Sequence, residues 1–134
     1  MSTRYEQLRS VIATLAASAS EQTAFLDKLH EPLTGGGSAA AYGNDEIALE
    51  LEDSFIAADD MVSFGELTAS EVEAIRPLHD LLGQLSGKHE SAFWQRDALY
   101  NDPRWTAVRT LAQEILKQLP DEVRAFGRYF PDGG

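Results

Sequence analysis

The segment IALELEDSFIAADD, residues 47–60, decides between a strand and a helix for the middle of the chain. Its first five residues briefly alternate in the manner of a half-buried β-strand. The apolar pattern then continues at helical spacing over all fourteen residues. One side of the resulting helix would contain Ile47, Leu51, Phe55, Ala58 and Val62. We therefore predict an amphipathic α-helix here and no strand.

The rest of the chain has the same helical periodicity. Large apolar residues recur at helical spacing in residues 3–18, 70–85 and 102–119, and a further helix is predicted to continue or restart at Ser20. A short aromatic segment, residues 91–100, completes the set. The 134 residues are the size of one domain. We predict an all-α fold, an irregular bundle of five to six helices in a single domain spanning residues 1–134.

Polar residues mark the expected helix starts. Asp102 followed by Pro103 is the clearest signal, because Asp is a favoured N-cap and proline is favoured at the first helical position. Ser70 and Glu73 have the spacing of a capping box. Asp45 is the predicted N-cap of the acidic helix.

Two segments are predicted to lie outside the helices. Residues 30–44, HEPLTGGGSAAAYGN, are rich in glycine and small side chains and predict a flexible loop. Its GGGS stretch lacks the lysine and the spacing of a phosphate-binding loop. Residues 120–134 form a C-terminal tail after Pro120, with at most one further helical turn.

The composition predicts a cytoplasmic protein without a membrane segment. The chain has no cysteine, which excludes disulfides, thiol catalysis and thiolate metal sites and suits a reducing cytosol. No run approaches the roughly 18 apolar residues of a membrane span. Residues 4–20 have some features of a secretion signal, but Glu6 and Thr14 interrupt the basic and apolar parts that such a signal needs.

The net charge of −11 arises in one stretch of the chain. Between Lys28 and Arg76 there are eleven acidic residues and no lysine or arginine, whereas elsewhere acids and bases are equal in number. A concentrated negative field attracts a basic partner and speeds its arrival. The same field disfavours direct binding to nucleic-acid phosphates. We therefore expect a protein partner with a basic surface.

The side of the acidic helix opposite its core stripe carries two large apolar residues among carboxylates. Leu49 and Ile56 lie there, and the acids around them are Glu52, Asp53, Asp59 and Asp60. An apolar centre with a charged perimeter is typical of a protein-binding patch. We predict these six residues as the partner-binding site. The alternative is a central helix that buries both sides and spreads its acids to the margins.

No catalytic or metal-binding motif is found. His30, His79 and His89 belong to no metal-ligand pattern, and no serine lies in a nucleophile motif. Adjacent acids such as Glu52 and Asp53 point about 100° apart on a helix and cannot grip one ion together. We predict no catalytic residue, metal or cofactor, and a binding protein rather than an enzyme.

From Leu78 onward, about a third of the chain resembles the C-terminal half of certain small bacterial proteins. The shared pattern is a leucine-rich helix, a Ser-Gly turn, a Trp-containing helix and a D-P-x-W-x-x-V-R start to the last helix. The matching positions are Ser86, Gly87, Trp94, Asp102, Pro103, Trp105, Val108 and Arg109. Small acidic helical proteins of this kind resemble the immunity proteins encoded beside contact-dependent or secreted bacterial toxins. The resemblance implies that the protein neutralises a toxin, but it does not identify which residues would contact the toxin.

Three functional hypotheses follow. The first is an immunity protein whose acidic helix covers the basic surface of a cognate toxin of the nuclease type. The second is a DNA mimic or regulator that occupies the cleft of a DNA-binding protein with carboxylates spaced like phosphates. The third, from another class, is a small metal-dependent hydrolase.

Overall fold

The chain folds into an all-α bundle, which confirms the predicted class. The computed structural model describes residues 3–34, 44–86 and 88–119, and within these ranges it contains seven α-helices, one 3-10 helix and no strand. The α-helices are α1 (Arg4–Ala16), α2 (Ala19–Thr34), α3 (Asp45–Phe55), α4 (Ala58–Ser63), α5 (Ala69–Gln84), α6 (Ala98–Asn101) and α7 (Pro103–Leu116). The 3-10 helix, Lys88–Trp94, lies between α5 and α6.

The described part of the chain has more helices than predicted because the predicted acidic helix is divided. It breaks at Ile56 and Ala57, where Ala57, with φ −90° and ψ 6°, is the N-cap residue of α4. The first helix also ends early, and α2 begins after Ser18. The Ser18 hydroxyl accepts from the Glu21 N–H, and the Glu21 carboxylate accepts from the Ser18 N–H. This reciprocal pair explains a restart at that point.

One predicted capping box is wrong and another takes its place. The Thr68 side chain accepts from the Glu71 N–H, and the Glu71 carboxylate accepts from the Thr68 N–H. Thr68 has the extended backbone of an N-cap, with φ −98° and ψ 157°, whereas Ser70 already lies inside α5. Both Thr68–Glu71 and Ser70–Glu73 have the three-residue spacing of a capping box, so the spacing does not distinguish them. The backbone conformation, which is extended at Thr68 and helical at Ser70, determines which pair forms the box.

The predicted N-cap of α3 is also displaced by one residue. Asp45 is the first residue of α3, and the preceding Asn44 is fully buried. The Asn44 side-chain amide donates to the carbonyls of Phe93 (3.2 Å) and Gln95 (2.6 Å), and its backbone N–H donates to the carbonyl of Trp94 (3.0 Å). The start of α3 is therefore held by the 3-10 helix segment rather than by a side-chain cap.

The core lies between α1, α3, α5 and α7, with α1 packed against both α3 and α7. Three aromatic residues pack against one another in it. The rings of Phe93 and Trp105 stack in parallel at 4.5 Å, and Trp94 meets both edge-on. The Trp105 indole N–H donates to the Phe93 carbonyl at 2.7 Å, which satisfies its polar atom inside the core. Phe93 and Trp105 are fully buried in the core, and Trp94 packs against it partly buried.

The segments predicted to lack helix are only partly described. Residues 30–34 belong to α2, so the predicted loop begins later than expected. Residues 35–43 of that loop and the tail, residues 120–134, lie outside the described residues. Of the helices in the described ranges, none has the length and apolar character needed to cross a membrane.

Candidate functional site

The core-facing side of α3 and α4 is fixed as the sequence predicts. Ile47, Leu51 and Phe55 of α3 and Ala58 of α4 are buried, while Val62 packs partly against the core. These contacts hold α3 against α1 and α5. Since the helix is held by this side, its opposite side is directed away from the core.

That opposite side exposes the two apolar residues in question. Leu49 is 51% exposed and Ile56 is 80% exposed, which confirms the expected exposure of both. The alternative of a central helix buried on both sides is therefore wrong. An exposed isoleucine or leucine is common when it stands alone. Here the two lie seven positions apart, on the same side of the chain's most acidic segment.

Four exposed carboxylates belong to this side. We call the six residues Leu49, Glu52, Asp53, Ile56, Asp59 and Asp60 the acidic face. Within the described part of the chain, the side chains of Asp53, Asp59 and Asp60 form no salt bridge and no hydrogen bond. Glu52 accepts a hydrogen bond from His79 Nε2 at 2.7 Å. Most of the negative charge on the acidic face is thus uncompensated by the fold.

The break between α3 and α4 helps to form a cleft beside Ile56. The cleft has a volume of about 240 Å³ and lies between α5 and the α3–α4 junction. Its lining is Glu52, Phe55, Ile56, Ala58, Asp59, Arg76 and His79. The structure therefore brings Glu52, Ile56 and Asp59 to one cleft, while Leu49, Asp53 and Asp60 lie outside its lining.

The sequence did not identify two residues of this cleft as part of the site. Arg76 and His79 lie on α5, where the guanidinium of Arg76 is 5.8 Å from the Phe55 ring centroid and the His79 ring is 5.0 Å from it. His79 is partly exposed. Its contact with Glu52 requires α5 to pack against α3. No local pattern in either segment signals that pairing.

Two described cations pair with acids of the acidic stretch that do not belong to the acidic face. Arg4 forms a salt bridge with the nearly buried Glu66, and Arg76 forms one with Glu73 at 3.3 Å. Neither of these two arginines forms a salt bridge with a carboxylate of the acidic face. No group of three or more His, Cys, Asp or Glu side chains in the described ranges is arranged to hold a metal ion.

A second cleft, of about 260 Å³, lies between α1, α2 and α3 and includes Glu6 and Glu50. Its apolar lining residues, Val11 and Phe25, are partly buried against the core. It therefore lacks the exposed large apolar residue that distinguishes the first cleft.

Comparison with known proteins returned no relative: no protein-family model, curated protein or solved structure matches this chain.

Proposed function

We propose that this protein binds a basic protein partner through the acidic face and that the partner is a cognate bacterial toxin, which it neutralises by covering its functional surface. The observation that supports this most directly is the exposure of Ile56 and Leu49 beside Asp53, Asp59 and Asp60, three carboxylates without a partner in the described residues. A single isolated domain gains nothing in folding stability from that combination.

The two kinds of residue would contribute differently to binding. Unpaired carboxylates at the rim attract a basic surface and raise the association rate. Burial of Ile56 and Leu49 removes apolar area from water and slows dissociation. Central apolar contacts of this kind typically cost about 2 kcal/mol or more of binding free energy when disrupted, and rim charges cost less.

A nuclease toxin fits the chemistry of the acidic face. Enzymes that act on nucleic acids carry basic surfaces that neutralise phosphates. An acidic protein surface can occupy such a site and exclude the substrate. The resemblance of residues 78–116 to small bacterial proteins, which with their acidic helical character resemble immunity proteins, supports the same role.

The test is neutralisation of a defined toxin domain. The proposal expects the gene directly upstream to encode a secreted protein with a basic C-terminal domain, and that domain would be expressed in a bacterial host with the wild-type protein. Growth and the dissociation constant of the purified pair would be measured for wild type, Leu49→Arg, Ile56→Arg and Asp53→Lys. Tyr100→Arg is the matched control, because Tyr100 is 61% exposed but lies on α6, which packs against α2.

We expect wild type and Tyr100→Arg to restore growth and to bind alike. Leu49→Arg and Ile56→Arg should each weaken binding by at least 30-fold, which is the factor that corresponds to about 2 kcal/mol. Unchanged affinity in Leu49→Arg, Ile56→Arg and Asp53→Lys would eliminate the acidic face as the site. If the affinity instead falls steeply as salt is added but is unchanged in Leu49→Arg and Ile56→Arg, the protein is a DNA mimic.

A further inference from the structure

The cleft beside Ile56 has the size of a site for one side chain. Its volume of about 240 Å³ is below the roughly 300–1,000 Å³ of pockets that take small-molecule ligands. Phe55 and Ala58, both buried, contribute apolar surface to it, and the exposed Ile56 adds more at the edge. A long side chain with an apolar stem would therefore find a matching surface here.

The polar lining of the cleft has one carboxylate that the fold leaves free. The Asp59 carboxylate has no hydrogen bond or salt bridge within the described ranges. Glu52 uses one oxygen, Oε2, to accept from His79. Arg76 Nε donates to Glu73 Oε2 at 3.3 Å, so Arg76 pairs with a carboxylate that does not belong to the acidic face. The acceptor left for an incoming group is thus the Asp59 carboxylate, with Glu52 Oε1 as a second.

We propose that this cleft receives an arginine side chain of the basic partner. The proposal rests on the docking function proposed above and specifies the residue type that the partner presents. The planar guanidinium would donate to Asp59, and the methylene stem would lie along Ile56 and the accessible edge of Phe55. Arginine suits the site better than lysine because it forms two parallel hydrogen bonds to a carboxylate and is more weakly hydrated.

Arg76 determines how that guanidinium is placed. Among the described residues, it is the one guanidinium in the cleft lining, and a second cation would be repelled from its side. The incoming group is therefore directed to Asp59. Removal of the Arg76 charge should therefore increase the affinity of the cleft for a cationic side chain.

The experiment uses two single-residue probes in place of the partner. Nα-acetyl-arginine amide and Nα-acetyl-lysine amide carry the same charge and would be titrated into the full chain while backbone amide chemical shifts are recorded by NMR. A single charge-assisted contact predicts a dissociation constant on the order of 10 mM for the arginine probe. The saturable shifts should centre on Ile56, Asp59 and His79.

Two variants identify the groups involved. Asp59→Asn should weaken arginine-probe binding at least fivefold, whereas Asp60→Asn, the adjacent exposed acid that does not line the cleft, should leave it unchanged. Arg76→Gln should tighten it two- to threefold. Amide spectra of the three variants establish that each is folded.

The outcomes separate this inference from the function on which it rests. Linear shifts spread over all acids, equal binding of the lysine probe, or no effect of Asp59→Asn would each overturn the arginine site. If one of these occurs while Ile56→Arg still abolishes toxin neutralisation, only the arginine site is lost. If Leu49→Arg and Ile56→Arg leave neutralisation intact, the docking function fails and the arginine site fails with it.

Discussion

His79 Nε2 lies 2.7 Å from Glu52 Oε2, and this hydrogen bond joins α5 to α3 at the edge of the acidic face. A carboxylate only accepts, so the imidazole donates from Nε2. The same imidazole ring lies 5.0 Å from the ring of Phe55. One residue of α5 thus helps to position both an exposed acid and a buried aromatic of α3.

The Glu52–His79 contact should contribute little to stability. The two side chains are 54% and 30% exposed, and water competes for such a pair. A double-mutant cycle with Glu52→Gln and His79→Gln should give a coupling free energy of about 0.2–1 kcal/mol in urea unfolding. A coupling above about 2 kcal/mol would contradict the view that Glu52 remains largely a surface acid.

Replacement of the exposed apolar residues should leave folding intact. We expect Ile56→Arg to change the free energy of unfolding by no more than about 0.5 kcal/mol, because its side chain buries little in the fold. On the opposite side, Ile47→Ala should cost about 2–5 kcal/mol, because Ile47 is completely buried. Urea denaturation measures both. A large loss for Ile56→Arg would mean that its effect on binding reports misfolding.

The N-cap of α7 should be pH-sensitive. The hydrogen bonds from the Arg104 side chain, aided by its backbone N–H, lower the pKa of Asp102 below its ordinary value of 3.8. Because the folded-state pKa is the lower one, Asp102 stabilises the fold above pH 3.8, and this contribution is lost as the pH falls through the folded-state value. At pH 7, Asp102→Ala should cost about 0.5–2 kcal/mol of unfolding free energy.

Asp97→Ala is the control for that measurement. Asp97 is the N-cap residue of α6, but its side chain makes no capping hydrogen bond. Its substitution should change stability by less than about 0.5 kcal/mol. The difference between Asp102→Ala and wild type should shrink as the pH is lowered from 5 towards 2. A difference that stays constant over that range would show that the ionised carboxylate is not what stabilises α7.

The start of α5 can be tested by two matched alanine substitutions. Thr68→Ala removes the hydroxyl that accepts from the Glu71 N–H and should cost about 1 kcal/mol of unfolding free energy. Ser70→Ala changes an exposed residue inside the first turn and should be within about 0.5 kcal/mol of wild type. If Ser70→Ala instead lowers the free energy of unfolding more than Thr68→Ala does in thermal or urea unfolding, the capping box of α5 is formed by Ser70 and Glu73.

The Arg4–Glu66 pair should matter more than the Arg76–Glu73 pair. Glu66 is only 6% exposed, so Arg4→Met leaves a nearly buried carboxylate without its guanidinium. We expect a loss of about 1–3 kcal/mol in the free energy of unfolding. Arg76→Met releases a carboxylate that is well exposed and should cost under about 1 kcal/mol. Equal losses would show that burial of Glu66 does not set the strength of its pair.

Much of the site follows from local sequence spacing. The apolar stripe containing Ile47 and Leu51 selects the buried side of α3, and residues opposite that stripe must face outward. This is why the exposure of Leu49 and Ile56 was predictable from one segment. The start of α7 at Asp102 and Pro103 was predictable for the same reason, since capping involves only neighbouring residues.

The tertiary structure alone decided which helices meet and where the acidic helix breaks. Thr68 and Ser70 offered equivalent local capping signals, and the backbone path before α5 selected Thr68. The cleft needs α5 beside the break at Ile56, and only that packing places Arg76 and His79 next to Phe55. Helical periodicity arises from contacts within about four residues, so the sequence specifies it directly. The pairing of helices depends on how all apolar stripes fill one core together, and no single segment contains that information.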